Sequence, residues 1–198
     1  MKKIISLLLA LFLMLPAAAR AAQDRYIYDP VHTQIMFSIS HLGFSHSHGK
    51  FNKFSGGFVF DQEKPETSAA NIAIDTNSLD MDSAAWEEHL KGPDFFNVQK
   101  FPSMAFKSTK VVKTGDKTAD VTGDFTLLGV TKPVTLHVIF NKADVFPMNK
   151  DYKAGFSITG TLKRSDFGMS SFLPMVGDDV SLIIEVEGIR QDFDKLSK

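Results

Sequence analysis

Apolar and polar residues alternate with a period of two in eight segments of this 198-residue chain. Successive side chains of a β-strand point to opposite faces, so the alternation predicts strands that each bury one face. Most connections between the segments are short and contain polar residues, Gly or Pro, which favours antiparallel neighbours. The eight segments are 35–39, 54–60, 72–74, 104–106, 121–127, 134–140, 156–162 and 180–186. The pattern predicts an all-β fold, and the Gly56-Gly57 pair suggests the bend or bulge that closure into a barrel requires.

One segment interrupts the alternation. Asp82 or Ser83 can cap a short helix that continues to Lys91 and ends at Gly92-Pro93. Trp86 and Leu90 lie on the same helical face. Phe95 and Phe96 follow the helix. We therefore predict one short helix inserted near the barrel mouth. The residues expected to guard the entrance are Leu90, Phe95 and Phe96.

The first 21 residues have the features of a secretory signal peptide. Lys2 and Lys3 precede the apolar run 4–15, and small residues surround a cleavage position near Ala21. The run is shorter than the roughly 20 apolar residues of a transmembrane helix. We expect export to the periplasm and a single mature domain over residues 22–198.

Composition argues against several classes of protein. Cleavage would remove three positive charges and change the formal net charge from −1 to −4, which disfavours nucleic-acid binding. The absence of cysteine rules out disulfides, thiolate catalysis and thiolate metal sites. The chain contains no G-x-S-x-G, no H-E-x-x-H, and no G-x-G-x-x-G between a strand and a helix. We expect no enzymatic activity.

Phenylalanine dominates the aromatic residues, with eighteen Phe against one Trp and three Tyr. Phe supplies large apolar area without a polar group. An eight-stranded barrel is just wide enough either to be filled by side chains or to hold a small ligand, and composition leaves both alternatives open. An outer-membrane barrel has the same periodicity, but the inserted helix, the charged tail 192–198 and the scarcity of Trp and Tyr argue against it.

Several motifs in this order resemble the YceI-like family of periplasmic polyisoprenoid-binding proteins. They are Asp29-Pro30-Val31-His32-Thr33, Ser40-His41-Leu42-Gly43, Gly49-Lys50-Phe51, Asp94-Phe95-Phe96, the segment 121–134 and Arg164-Ser165-Asp166-Phe167-Gly168. The resemblance implies a lipocalin-like eight-stranded barrel that binds an isoprenoid quinone, a polyprenyl phosphate or a fatty-acid-like lipid, with no cofactor required. A transient contact with the inner membrane or a membrane protein is a further possible interaction, and a dimer is possible. The segment 44–48 departs from the family pattern by two additional histidines.

The inward parity of the strands gives the candidate ligand-binding wall. Its predicted residues are Phe37, Ile39, Phe54, Phe58, Ile72, Ile74, Phe106, Phe125, Leu136, Phe156, Ile158 and Leu182. Core packing without ligand contact is the alternative for each of them.

Two polar residues are candidates for contact with a ligand head group. His41 and Arg164 can donate hydrogen bonds to a quinone oxygen or a phosphate. For Arg164, a local structural pair with Asp166 is the favoured alternative. His46 and His48 could provide two metal ligands, but a solvated loop is the favoured interpretation, and we predict no metal site.

Overall fold

The computed structural model describes residues 24–191, so the predicted signal peptide lies outside the described residues. Eleven strands and one α-helix are present in this part of the chain. They are β1 (Asp24–Tyr28), β2 (Gln34–His41), β3 (Ser45–Phe51), β4 (Phe54–Phe60), β5 (Ala69–Asp75), β6 (Leu79–Asp80), α1 (Ala84–Lys91), β7 (Ser103–Lys113), β8 (Thr118–Leu127), β9 (Val130–Val145), β10 (Tyr152–Lys163) and β11 (Val176–Arg190). Short 3-10 helices occupy Pro65–Thr67, Thr76–Ser78 and Arg164–Phe167.

The eleven strands form eight long strands of one closed barrel. β1 and β2 both pair with β11, with Tyr28 opposite Gly188 and Gln34 opposite Glu185, so they act as one interrupted strand. β3 and β4 form a second interrupted strand next to β1 and β2, and β5 and β6 form a third one next to β3 and β4. Antiparallel pairing proceeds from β5 through β7, β8, β9 and β10 to β11, and the β11–β1 pairing closes the ring. The predicted eight-stranded antiparallel barrel with one helix is confirmed.

The strand connections alternate between two ends of the barrel. We call the end that carries α1 the upper end and the opposite one the lower end. The upper connections are 42–44, 81–102, 128–129 and 164–175, and the lower connections are 61–68, 114–117 and 146–151.

The apolar face of the strands points inward. On β8, Val121 and Phe125 line the interior, whereas the charged Asp120 and Asp124 alternate with them on the outside. An outer-membrane barrel requires the opposite arrangement, an apolar band on the outside. No helix within residues 24–191 combines the length and hydropathy needed to cross a bilayer.

Of the predicted bend or bulge at Gly56-Gly57, a bulge is absent, because both residues pair in regular register with β5 and Gly57 also pairs with β1. Their role is close approach of neighbouring backbone. A Cβ at Gly56 would collide with the carbonyl oxygen of Asn71, and one at Gly57 with that of Tyr26. The glycine pair therefore lets three strands pack closely at this point of the wall.

Three strands were not predicted. β1 and β6 are short, and β3 consists mainly of polar residues. The predicted solvated loop around His46 and His48 is wrong, because both residues lie on the exposed face of β3 and pair with Ser40 and Ser38 of β2.

Candidate functional site

Two cavities occupy the barrel interior, so side chains do not fill it. The lower cavity has a volume of about 440 Å³ and the upper cavity about 270 Å³. Met104, Phe125 and Leu162 line both and form the boundary between them. The volume of the lower cavity, without that of the upper cavity, already lies within the range of about 300–1,000 Å³ that is usual for small-molecule sites.

The lower cavity has apolar walls along the barrel axis. On one side, four phenylalanine rings pack together: Phe60 lies 5.1 Å from Phe140 and 5.0 Å from Phe156, and Phe58 lies 5.5 Å from Phe156, measured between ring centroids. At the lower end the cavity reaches the connections 61–68 and 114–117, where the exposed Gln62, Asp116 and Lys117 line it. Above the lower end, the wall consists of paired strands. Their backbone groups bond mainly to neighbouring strands, so their inward faces can be apolar.

The upper cavity lies beneath α1 and the segment that follows it. Ser83 precedes the helix, Gly92 ends it, and Trp86, His89 and Leu90 of this element line the cavity. Trp86 is 39% exposed, and Phe172 of the connection 164–175, which also lines the cavity, is 49% exposed. The upper cavity therefore reaches the protein surface between α1 and this connection.

Arg164 is the main charged group of the upper cavity, and it is only 2% exposed. Its Nε donates to the carbonyl oxygen of Gly177 at 2.8 Å, Nη1 to that of Met169 at 3.1 Å, and Nη2 to that of Val176 at 3.2 Å. A guanidinium has five N–H donors, so these bonds use three and leave two. Burial lowers the pKa of Arg164, and Asp178 partly opposes that effect.

The predicted local pair of Arg164 with Asp166 is wrong. The carboxylate of Asp166 instead lies 3.7 Å from the ammonium of Lys132. Arg164 binds three backbone carbonyls of the connection 164–175 and the start of β11, a type of partner that side-chain patterns do not indicate. No carboxylate lies within salt-bridge distance of the guanidinium among the described residues.

Two histidines accompany Arg164 in the upper cavity. The His41 ring lies 6.4 Å from Trp86 in an edge-on arrangement. The His89 ring lies 5.1 Å from Phe95 and 6.1 Å from Phe172. His41 was a predicted head-group contact, whereas His89 was not. Helical spacing could have found His89, because it follows Trp86 by three residues on the same helix.

The structure distributes the predicted wall and entrance residues between the two cavities. Those in the lower cavity are Phe58, Ile72, Ile74, Phe106, Leu136, Phe156, Ile158 and Leu182, and those in the upper cavity are Phe37, Ile39, His41, Leu90, Phe95, Phe96 and Arg164. Phe125 lines both. Phe54 lines neither, since its ring packs edge-on at 6.2 Å against Tyr28. Sequence reasoning did not select Val138 and Phe140, although they share the inward parity of Leu136.

A polar cluster on the outer wall joins the interruption between β1 and β2 to β10 and β11. Lys153 Nζ donates to Asp29 Oδ2 at 2.7 Å and to Glu187 Oε2 at 2.9 Å, and His32 Nδ1 lies 2.8 Å from Asp29 Oδ2. Burial would raise the pKa of Asp29, but the bonds from Lys153, His32 and the backbone of Val31 outweigh it and hold that pKa well below its usual range. This cluster contributes to the stability of the barrel wall.

Among residues 24–191, this cluster is the one place where three side chains that could bind a metal ion lie together. Atoms of Asp29, His32 and Glu187 lie within 4.8 Å of one another. The ammonium of Lys153 already donates to both carboxylates, so a cation bound between them would have to displace it. His46 and His48 have no third ligand in the described part of the chain.

The closed barrel with an apolar internal cavity defines a class, the lipocalin-like β-barrels. The YceI-like domain matches residues 26–188. The chain is 41% identical over 190 residues to UPF0312 protein ECA1782 of Pectobacterium atrosepticum, across 96% of this chain and 98% of the relative. The chain belongs to the YceI family, which confirms the resemblance found in the sequence.

Solved structures have the same fold. The crystal structure of BcnA from Burkholderia cenocepacia matches with a TM-score of 0.74 at 22% identity, over 81% of this chain and 98% of that one. A polyisoprenoid-binding domain from Saccharophagus degradans matches with a TM-score of 0.63 at 13% identity, over 84% and 98%. At these identities the similarity shows the fold alone.

Proposed function

We propose that this protein is a periplasmic carrier that holds a long-chain isoprenoid of the quinone or polyprenyl phosphate type, or a similar amphiphilic lipid, inside the barrel. The observation that carries the proposal is the apolar lower cavity of about 440 Å³, which meets the smaller upper cavity at Met104, Phe125 and Leu162. A polyisoprenoid-binding domain with the same fold supports the choice of ligand class. The signal-peptide features of residues 1–21 support the compartment. The proposal includes no catalytic step.

The two cavities suit the two parts of an amphiphile. The lower cavity takes the apolar chain, and the upper cavity takes the head group beside Arg164 and His41. The two unused guanidinium donors of Arg164 can bind a quinone oxygen or a phosphate.

Energetics favour carriage over permanent storage. Each buried methylene contributes about 0.8 kcal/mol, so one five-carbon isoprene unit contributes about 4 kcal/mol relative to water. A bilayer offers the same chain an equally apolar environment and cancels most of this difference. The head-group contacts then decide how long the lipid stays, which suits a protein that exchanges its ligand with membranes.

Native mass spectrometry of protein purified from its own host, followed by solvent extraction, tests the proposal. We expect a co-purifying apolar chain in the wild type and its loss in Phe125→Glu, which places a charge at the cavity boundary. Ile139→Glu is the matched control, because Ile139 is exposed on the outer face of β9.

A second variant protects the test against misfolding. Ala119→Trp fills the lower cavity without adding a charge. We expect it to fold, as judged by circular dichroism, and to lose the longest chains. The proposal is wrong if the wild type carries no lipid, or if folded Ala119→Trp retains the same lipid as the wild type.

A further inference from the structure

Exposed apolar side chains surround the opening of the upper cavity. We define the apolar rim as Leu42 and Phe44 of the turn 42–44, Trp86 of α1, and Phe172 and Met175 of the connection 164–175. Phe44 is 90% exposed, and each of the other four is more than one-third exposed. The rim is continuous, because Leu42 N donates to the Met175 carbonyl oxygen at 2.8 Å and His41, next to Leu42, contacts the Trp86 ring.

The rim differs from the rest of the surface in charge. No charged residue occurs in 42–45 or in 167–177, although 23% of the chain is charged. Charged residues do occur elsewhere in the upper connections, namely Asp82, Glu87, Glu88, Lys91, Asp94, Lys100, Arg164 and Asp166, but none of them lies in these two segments. In α1, next to Trp86, Glu87 lies 3.7 Å from Lys91 and pairs with it. The segments 42–45 and 167–177 therefore form an uncharged apolar surface beside the opening of the upper cavity.

We propose that the apolar rim is a docking surface for a phospholipid bilayer, which it enters with Phe44 and Met175 while the upper cavity faces the membrane. This inference rests on the proposed function. An uncharged rim complements hydrocarbon, and a lipid that crosses from bilayer to cavity at this opening avoids exposure to water. Hydrophobic insertion also predicts that docking requires no anionic lipid and is insensitive to salt, because screening acts on charges.

Flotation of the mature protein with phosphatidylcholine vesicles tests the proposal. We expect the wild type to float with the vesicles, with less than about a twofold change between low and high salt. The double variant Phe44→Glu, Met175→Glu should reduce vesicle partitioning by at least about tenfold, because each change replaces an inserted apolar side chain by a charge. Neither residue lines a cavity, so the variant should retain its bound lipid in native mass spectrometry.

Met148→Glu is the matched control, because Met148 is 84% exposed at the lower end. We expect it to bind vesicles as the wild type does. Trp86 is the one tryptophan of the chain and belongs to the rim, so bromine in the acyl chains should quench its fluorescence. The quenching should disappear when the vesicles are removed.

Four results would overturn the docking surface: no flotation of the wild type, equal flotation of the double variant, equal loss in Met148→Glu, or quenching that persists without vesicles. Binding that requires vesicles containing membrane proteins would instead indicate a protein partner and would also overturn it. Retained lipid without vesicle binding contradicts only the docking surface. Vesicle binding by a wild type that carries no lipid contradicts only the proposed carrier function.

Discussion

The two cavities of this barrel are built in different ways. Strands form the sides of the lower cavity, and their backbone hydrogen bonds are satisfied within the sheet. The upper cavity is closed by α1 and by the irregular connection 164–175, whose carbonyls need other donors. Arg164 donates from inside the barrel to Met169 of this connection and to Val176 and Gly177 at the start of β11. A buried cation therefore lies where the regular sheet ends, and the same cation makes the upper cavity suitable for a polar head group.

The largest expected effect comes from removing that cation. Arg164→Met leaves the carbonyls of Met169, Val176 and Gly177 without their donor, and we expect a loss of about 3 to 5 kcal/mol in the free energy of unfolding. Arg164→Lys should recover only part of it, because an ammonium lacks the planar fork that reaches all three carbonyls. Urea denaturation measures both variants.

Lys163→Met is the control for Arg164→Met. Lys163 precedes Arg164 but is exposed and pairs with Asp179 at 2.8 Å on the outer surface. We expect a much smaller loss, since exposed ion pairs contribute little. Equal losses in the two variants would show that the buried guanidinium has no special role in the upper cavity.

The sequence predicted the inward faces of the regular strands better than the role of the upper connections. Strict alternation in 121–127 and 134–140 placed Phe125 and Leu136 on the interior face, because parity alone decides the face of a strand. Parity does not give the volume that remains between opposing side chains, so only the three-dimensional structure distinguishes a filled barrel from a hollow one. Phe54 shows the same limit, since its parity is inward but its ring packs on Tyr28.

The upper end was harder to predict for three physical reasons. β3 has few apolar residues besides Phe51, so its alternation is weak. Phe172 lies in a connection without periodicity, which gives no signal for a cavity-lining role. The partners of Arg164 are backbone carbonyls, which every residue has, so sequence reasoning chose the neighbouring carboxylate of Asp166 instead.

The boundary between the cavities provides the second test. Leu162 is buried and lines both cavities, whereas Leu182 is only half-buried and lines the lower one. We expect Leu162→Ala to lower the free energy of unfolding by about 3 kcal/mol and Leu182→Ala by about half as much, because less surface of Leu182 is removed from water. Urea denaturation of the two lipid-free variants measures this difference.

Leu162→Ala also enlarges the passage between the cavities. We expect native mass spectrometry with prenols of defined length to show a shift toward longer bound chains. An unchanged chain-length preference would mean that the two cavities do not share one ligand.

The smallest expected effect concerns the outer wall, where the barrel has a buried ion pair that faces neither cavity. The folded-state pKa of Asp29 is held below the value of about 3.9 expected for an unfolded chain. The resulting stability is therefore fully present above about pH 4 and is lost as the pH falls through the folded-state pKa. We expect Asp29→Asn to lower the free energy of unfolding by about 2 kcal/mol at pH 7 and by less at pH 3, as measured by urea denaturation at both values.

Asp144→Asn is the exposed control and should show a smaller difference, because Lys142 and Asp144 pair in solvent. If Asp29→Asn costs the same at both values, packing rather than charge holds this wall.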